Sequence, residues 1–212
     1  ARGAAEGDVP AITTVAGNVT GAQTALNARI IREAAGFDTD VPICAGAPRP
    51  LVREPVTAED FHGSTGLGNL DFPAPRHALS KSHAVNMLVR ICRAARKDPI
   101  TVVVTGPMTN LALALTMSPE IEEGIEEIVL MGGADKEGGN ITPYAEFNVY
   151  ADPHAAATVF GFGIPIRCLS LDVTHFVRAT AERIQDVRRV ETQQADLAGA
   201  LLEASSKLEF SA

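Results

Sequence analysis

The feature that most constrains this chain is a set of short β-branched runs that barely alternate: Ala11 to Val15, Ile100 to Thr105, Ile128 to Met131 and Ile164 to Leu171. A strand with one solvated face alternates apolar and polar residues. Runs without that alternation are expected where both faces are covered, as in a parallel sheet. Between the runs lie helical stretches, Ala22 to Ala35, Ser82 to Arg96, Asn110 to Met117, Pro153 to Phe160 and Ala181 to Glu203. Strand and helix therefore take turns, which predicts an α/β fold with a mostly parallel sheet and flanking helices. Pro42 to Ala47 is a further candidate strand, and Pro48 to Ala78, rich in Pro and Gly, reads as a long irregular connection of the kind that often carries function.

The 212 residues fit a single α/β domain spanning 1–212, with no internal repeat or linker to divide it. Both ends read as truncated. Ala1 to Glu6 could be the tail of a helix, and Lys207 to Ala212 follow an amphipathic helix with no closing strand. A sheet cut on both sides would leave unpaired edges. A net charge of −8 argues against a nucleic-acid partner, because backbone binders concentrate Lys and Arg to displace counterions. A small-molecule substrate is expected instead. Three cysteines, Cys44, Cys92 and Cys168, without C-x-x-C spacing suggest neither a disulfide framework nor zinc, and so a reducing, cytoplasmic setting. No run approaches the ~18 apolar residues of a membrane span, and Ala1 to Val9 lack the apolar run of a signal peptide.

In open parallel sheets ligands bind beyond the carboxyl ends of the strands, so the residues after each strand are the candidates for chemistry. After the first run comes Gly17-Asn18, where Asn18 offers a donor and an acceptor; on its own it reads as an ordinary turn asparagine. After Ile100 to Val104 comes Thr105-Gly106-Pro107-Met108-Thr109-Asn110, with Thr109 a plausible helix N-cap. The turn leaves the Thr105 carbonyl at the strand end, an oxygen of the type hard cations accept. After Met131 come Gly132-Gly133 and then Asn140, Glu146 and Asn148. If Ala145 to Asn148 is extended, Glu146 and Asn148 share a side, and two amides with a carboxylate would suit a polyol such as a sugar. Asp152-Pro153 reads as an N-cap with proline at the first helical position. In the long connection, His62-Gly63-Ser64-Thr65-Gly66-Leu67-Gly68 puts a histidine beside glycines that let backbone approach a ligand. Phosphate-loop and Ser-His-Asp readings fail, since no Gly-Lys-Ser/Thr and no G-x-S-x-G is present.

Taken in order, Ile12-Thr13-Thr14-Val15-Ala16-Gly17-Asn18, His62 to Gly68, Thr105 to Asn110, Val129-Leu130-Met131-Gly132-Gly133 and Ala145-Glu146-Phe147-Asn148 with Ala151-Asp152-Pro153 resemble the nucleoside hydrolases of the inosine/uridine type. The resemblance covers roughly residues 9 to 180 and implies a Rossmann-like nucleoside hydrolase fold, truncated at both ends. It implies that Asn18, Asn140, Glu146 and Asn148 hold the ribose hydroxyls, with Met131 beside the sugar and His62 on the nucleobase side. It further implies a Ca2+ cofactor with the main-chain oxygen of Thr105 as one ligand, a ribonucleoside substrate, a place in nucleoside salvage and a homo-oligomer. The reaction so implied is hydrolysis of the N-glycosidic bond through an oxocarbenium-like sugar, with a metal-bound water as nucleophile. One departure stands out. The family's D-x-D-x-x-x-D-D segment, which supplies calcium ligands and the water-activating base, has no match here, and neither has its later His-Asp pair. The alternative expectation is a relative that binds ribosides without hydrolysing them; a bare structural module is a third, disfavoured by the polar sets that follow successive strands.

Overall fold

The computed structural model describes residues 9–36, 41–68 and 70–209. Along the chain run β1 (Ile12–Thr14), α1 (Gly21–Ala34), β2 (Ile43–Ala45), α2 (Glu59–His62), α3 (Ala84–Ala94), a 3-10 turn (Ala95–Lys97), β3 (Ile100–Val104), α4 (Thr109–Met117) and a second 3-10 segment (Pro119–Gly124). Then come β4 (Ile125–Met131), α5 (Phe147–Ala151), α6 (Pro153–Phe160), β5 (Ile166–Leu169), α7 (Leu171–Thr174), α8 (Ala181–Arg188) and α9 (Gln193–Glu209). The predicted α/β fold forms, and each strand pair is parallel: β1 with β2, β3 with β4, and β4 with β5.

The single sheet expected from the sequence is two, β1-β2 and β3-β4-β5. Between β1 and β3 lies a cavity of about 840 Å³ walled by Ile12, Leu88, Ile91, Val102 and Val104. Bonded strands sit only about 4.8 Å apart, and across a space of that size β1 and β3 do not pair. Burial on both faces is also corrected. Val102 is buried but Val103 is 66% exposed, and Arg167, Cys168 and Leu169 of β5 are exposed. The helices cover one face of the larger sheet: Leu111 and Leu115 of α4, Val159 of α6 and Ile121 pack with Ile125, Ile128 and Leu130 of β4.

Asn110 joins the two sheets. Its Nδ2 donates to the Thr14 carbonyl at 2.8 Å, and its Oδ1 accepts from the Ala47 amide at 2.8 Å. Room for that amide depends on Gly46, where a Cβ would stand 2.3 Å from Asn110 Oδ1.

Asp152 caps α6 as the sequence predicts, accepting from the Ala155 amide at 3.0 Å with Pro153 beginning the helix. Thr109, expected to cap α4, is instead its first residue and donates its hydroxyl to Asp152 at 2.7 Å. A buried carboxylate is costly without hydrogen-bond donors, and beside the Ala155 amide Asp152 takes this hydroxyl and the Leu51 amide. The predicted helix from Ala181 to Glu203 is broken into α8 and α9, with Glu191 at φ 53 between them. The Thr192 hydroxyl accepts from the Ala195 amide and starts the second helix. The expectation for Ala1 to Glu6 lies outside the described residues. At the other end α9 runs to Glu209, and the remainder of the Lys207 to Ala212 expectation lies outside them too.

Candidate active site

Gly17, just after β1, packs on Pro107, just after β3, where a Cβ on Gly17 would lie 3.0 Å from the proline ring. Together with Asn110 on the Thr14 carbonyl, this brings the carboxyl ends of β1 and β3 to one place. Asn18, Thr105 and Asn148 line the same cavity there. Asn18 and Thr105 are exposed, while Asn148 is buried. The cavity was expected to be polar. Its walls are largely apolar side chains of β1, α3 and β3, and the amides gather at the strand ends.

A second set of candidates is knitted together where β4 ends. Gly133 leaves the strand at φ 75, a backbone state that favours glycine, and turns the chain back. Its amide donates to Glu146 Oε2 at 3.1 Å, which also accepts from Val149 N at 3.1 Å. Glu146 Oε1 accepts from Asn148 N at 2.9 Å. Residues 145–148 are therefore not an extended run: Glu146 is the N-cap of α5, because its buried carboxylate finds its donors in that helix's first turn. An ionised carboxylate has about four acceptor positions, and these three amides leave one on Oε1. Asn148 Nδ2 donates to the Met131 carbonyl at 3.0 Å and lies 3.3 Å from its sulfur. Asn140 is exposed, and its Oδ1 accepts from Phe147 N at 2.8 Å. Met131, Asn140, Glu146 and Asn148 thus form one hydrogen-bonded group, which reaches the cavity through Asn148.

His62 is not among the residues lining that cavity. It ends α2, half-buried, with its ring edge-on to Phe61 at 4.9 Å between centroids. Burial pushes its pKa down from the usual 6.5, favouring the neutral imidazole. Two backbone bonds tie it to the site: His62 N donates to the Ala58 carbonyl, and Ala58 N donates to the Asn18 carbonyl at 2.9 Å.

Beside this group, the Cys168 thiol of β5 donates to the Gly132 carbonyl at 3.0 Å. Although the residue as a whole is exposed, partial burial of the thiol, and secondarily the Glu146 charge, raise its pKa and keep it protonated. Two residues were missed by the sequence reading. Asn110 was seen only as part of a helix start. Asp172, which accepts from the loop after β4, stands right after the carboxyl end of β5, where the rule applied to the other strands would have found it.

Calcium normally takes six to eight oxygens. Among the described residues no group of three or more His, Cys, Asp or Glu is gathered where it could hold a metal. The Thr105 carbonyl alone does not make a calcium site; the amides and the Glu146 carboxylate are donors and acceptors of the kind a polyol takes.

The family model described as inosine-uridine preferring nucleoside hydrolase matches residues 2–211. The chain is 43% identical to the pyrimidine-specific ribonucleoside hydrolase RihA of Photobacterium profundum over 92% of its own length and 62% of the relative's. It is 41% identical to the inosine-uridine preferring nucleoside hydrolase of Crithidia fasciculata, again over 92% of this chain and 62% of that protein. Its fold superposes on the purine-preferring ribonucleoside hydrolase of Gardnerella vaginalis with a TM-score of 0.88 at 30% identity, covering 95% of this chain and 64% of that one. The chain spans about three fifths of the length of the curated relatives it matches. Over that span it belongs to the inosine-uridine preferring nucleoside hydrolase family.

Proposed function

We propose that this chain, as one α/β domain, forms the sugar-binding part of a nucleoside hydrolase that cleaves the N-glycosidic bond of ribonucleosides to ribose and free base. The observation that carries the reading is that Asn18 just after β1, Thr105 just after β3, and Asn148 in the first turn of α5, hydrogen-bonded to Met131 at the end of β4, line one cavity. The relatives' names differ in the base, pyrimidine, inosine-uridine or purine, and share the nucleoside. The groups this chain brings together accordingly read the sugar. Amides of Asn18, Asn140 and Asn148 offer donors and acceptors to the ribose hydroxyls, and Glu146 Oε1 has a remaining acceptor position. Met131 packs beside the sugar, and His62 faces the base. Hydroxyl contacts that tighten as the sugar ring flattens lower the barrier, since only interactions stronger in the transition state than in the ground state speed the reaction.

Calcium is proposed as the metal of the full-length enzyme, with the Thr105 carbonyl as this chain's one contribution to its shell. Salvage of nucleosides in the cytoplasm, by a homo-oligomer, completes the reading; the three unpaired cysteines suit a reducing compartment. The test is release of free base from inosine and uridine by the full-length protein, with added calcium and with a chelator. Base release abolished by the chelator is expected, and tight riboside binding without base release would favour the non-hydrolysing alternative. The 212-residue chain alone should release little or no base, having one carbonyl where calcium needs a full shell.

A further inference from the structure

The segment that carries Asn140, between Gly133 and Glu146, has almost nothing apolar to hold it. Asp135, Lys136, Glu137 and Asn140 are exposed, Ile141 is 41% exposed and Tyr144 is 90% exposed. Its order must come from hydrogen bonds. Inside the segment the Gly139 amide donates to the Pro143 carbonyl, the Asn140 amide to the Ala145 carbonyl, and the Ala145 amide to the Thr142 hydroxyl. These bonds shape the tip without fixing it to the body of the fold.

At its far end the segment is tied to α5 by Asn140 Oδ1, which accepts from Phe147 N at 2.8 Å; residues 135–137 are held by one carboxylate on α7. Asp172 Oδ2 accepts from the Asp135 amide at 2.8 Å and from the Ser170 hydroxyl at 3.1 Å. Its Oδ1 accepts from the Lys136 amide at 2.8 Å and from the Glu137 amide at 3.2 Å. All four acceptor positions are filled, three of them by consecutive backbone amides of the segment. Around this, the Leu171 amide donates to the Gly133 carbonyl at 3.0 Å, and His175 Nδ1 meets Glu137 Oε2 at 3.0 Å. We infer that Asp172 is a positioning residue for ribose recognition: it fixes residues 135–137 so that Asn140 and Glu146 are already arranged when the sugar arrives. The inference rests on the proposal that Asn140 and Glu146 contact ribose. The amides of Asp135 and Lys136 hold the Asp172 carboxyl down to about 2, so it stays an acceptor throughout the neutral range.

A segment ordered before binding does not have to be ordered by the ligand, and the cost of ordering otherwise appears as weaker binding. Losing Asp172 should therefore act on KM more than on kcat. In Asp172→Asn one oxygen becomes an NH2 donor facing amides that are themselves donors, and in Asp172→Ala all four acceptor positions go.

The experiment compares wild type, Asp172→Asn and Asp172→Ala of the full-length protein by hydrogen exchange of residues 135–137 and by nucleoside kinetics. Both variants should exchange those amides at least about tenfold faster while β4 stays protected. KM should rise roughly tenfold with kcat within about threefold of wild type. Asp172→Glu, which can still accept, should recover part of the KM. Should exchange quicken while KM stays at the wild-type value, Asp172 holds the loop without serving the sugar, and the inference is overturned. A fall in kcat alone overturns it as well. Wild-type protein that neither binds ribose nor hydrolyses nucleosides sinks the functional reading and this inference together, which separates the two failures.

Discussion

The two sheets carry parts of one candidate site on unequal foundations. Under β3-β4-β5 lies a continuous core in which Ile121, Ile128, Leu130, Leu115 and Val159 have no more than a trace of exposure. Beside β1-β2 the buried cluster is Cys44, Ala84 and Met87, with Ala11 and Ile91 partly buried against it. Hydrophobic stabilisation follows apolar area removed from water, so the larger sheet can hold Thr105, Met131 and Asn148 by packing. The smaller sheet, which carries Asn18, depends on α1, on the Asn110 amide and on the Gly17–Pro107 contact. Sugar binding as proposed would therefore draw on one half with a large core and one half with a small core braced by the Asn110 amide.

The sharpest way to break that contrast is to cut each foundation in turn. Ile128→Ala removes a fully buried side chain from the centre of β4 and should cost about 3 kcal/mol in urea unfolding, loosening the whole larger sheet. Asn110→Ala strands the Thr14 carbonyl and the Ala47 amide in a buried place, at a cost of about 2 kcal/mol. Its signature should be local: hydrogen exchange at Ile12–Thr14 and Ile43–Ala45 should quicken while Ile125–Met131 stays protected. Equal loosening of both sheets after Asn110→Ala would show that they unfold as one unit and that the contrast is only geometric.

The same contrast explains what could be read from the sequence. Runs such as Ile100 to Thr105 and Ile128 to Met131 betray strands by their β-branched composition, although that composition overstated burial, with Val103 66% exposed, and Asp152-Pro153 betrays a helix start because capping is local chemistry. The gap between β1 and β3 was not legible, since no local pattern records whether two strands far apart in the chain lie close enough to bond. The break between α8 and α9 hid inside an amphipathic pattern that continues across Glu191. Candidate site residues were legible as polar residues after strands. Their partners were not, because the Asn110 and Asp172 contacts span 96 and 37 residues of chain.

Glu146 sharpens the comparison within the half with the large core, where a single carboxylate is both a cap and a proposed sugar acceptor. Glu146→Gln turns one acceptor oxygen into a donor facing backbone amides, so it should weaken the start of α5 by about 1 kcal/mol. In the full-length enzyme kcat/KM should also fall about tenfold to a hundredfold, the size expected when a charge-assisted bond that strengthens in the transition state is lost. Loss of stability with wild-type kcat/KM would leave Glu146 a cap and remove it from the sugar.

The smallest effect belongs to His62, on the weakly founded side. Burial depresses its folded pKa below the ordinary 6.5, so in acid the unfolded chain binds its proton more readily than the folded one does. The sign follows. His62 costs nothing above pH 6.5, and folding loses stability as the pH falls below that value. A His62→Gln variant cannot titrate, so the difference in urea midpoint between wild type and variant should shift toward the variant between pH 7.5 and 5.5, while other titrating groups cancel. The shift should be slight, because the ring is only half-buried and water still reaches it. A neutral imidazole also offers one donor and one acceptor, the pair a nucleobase edge can use. Loss of affinity for the base on protonation should then follow the same depressed pKa, and a midpoint difference that is flat with pH would mean that His62 stays solvated and titrates as an ordinary surface histidine.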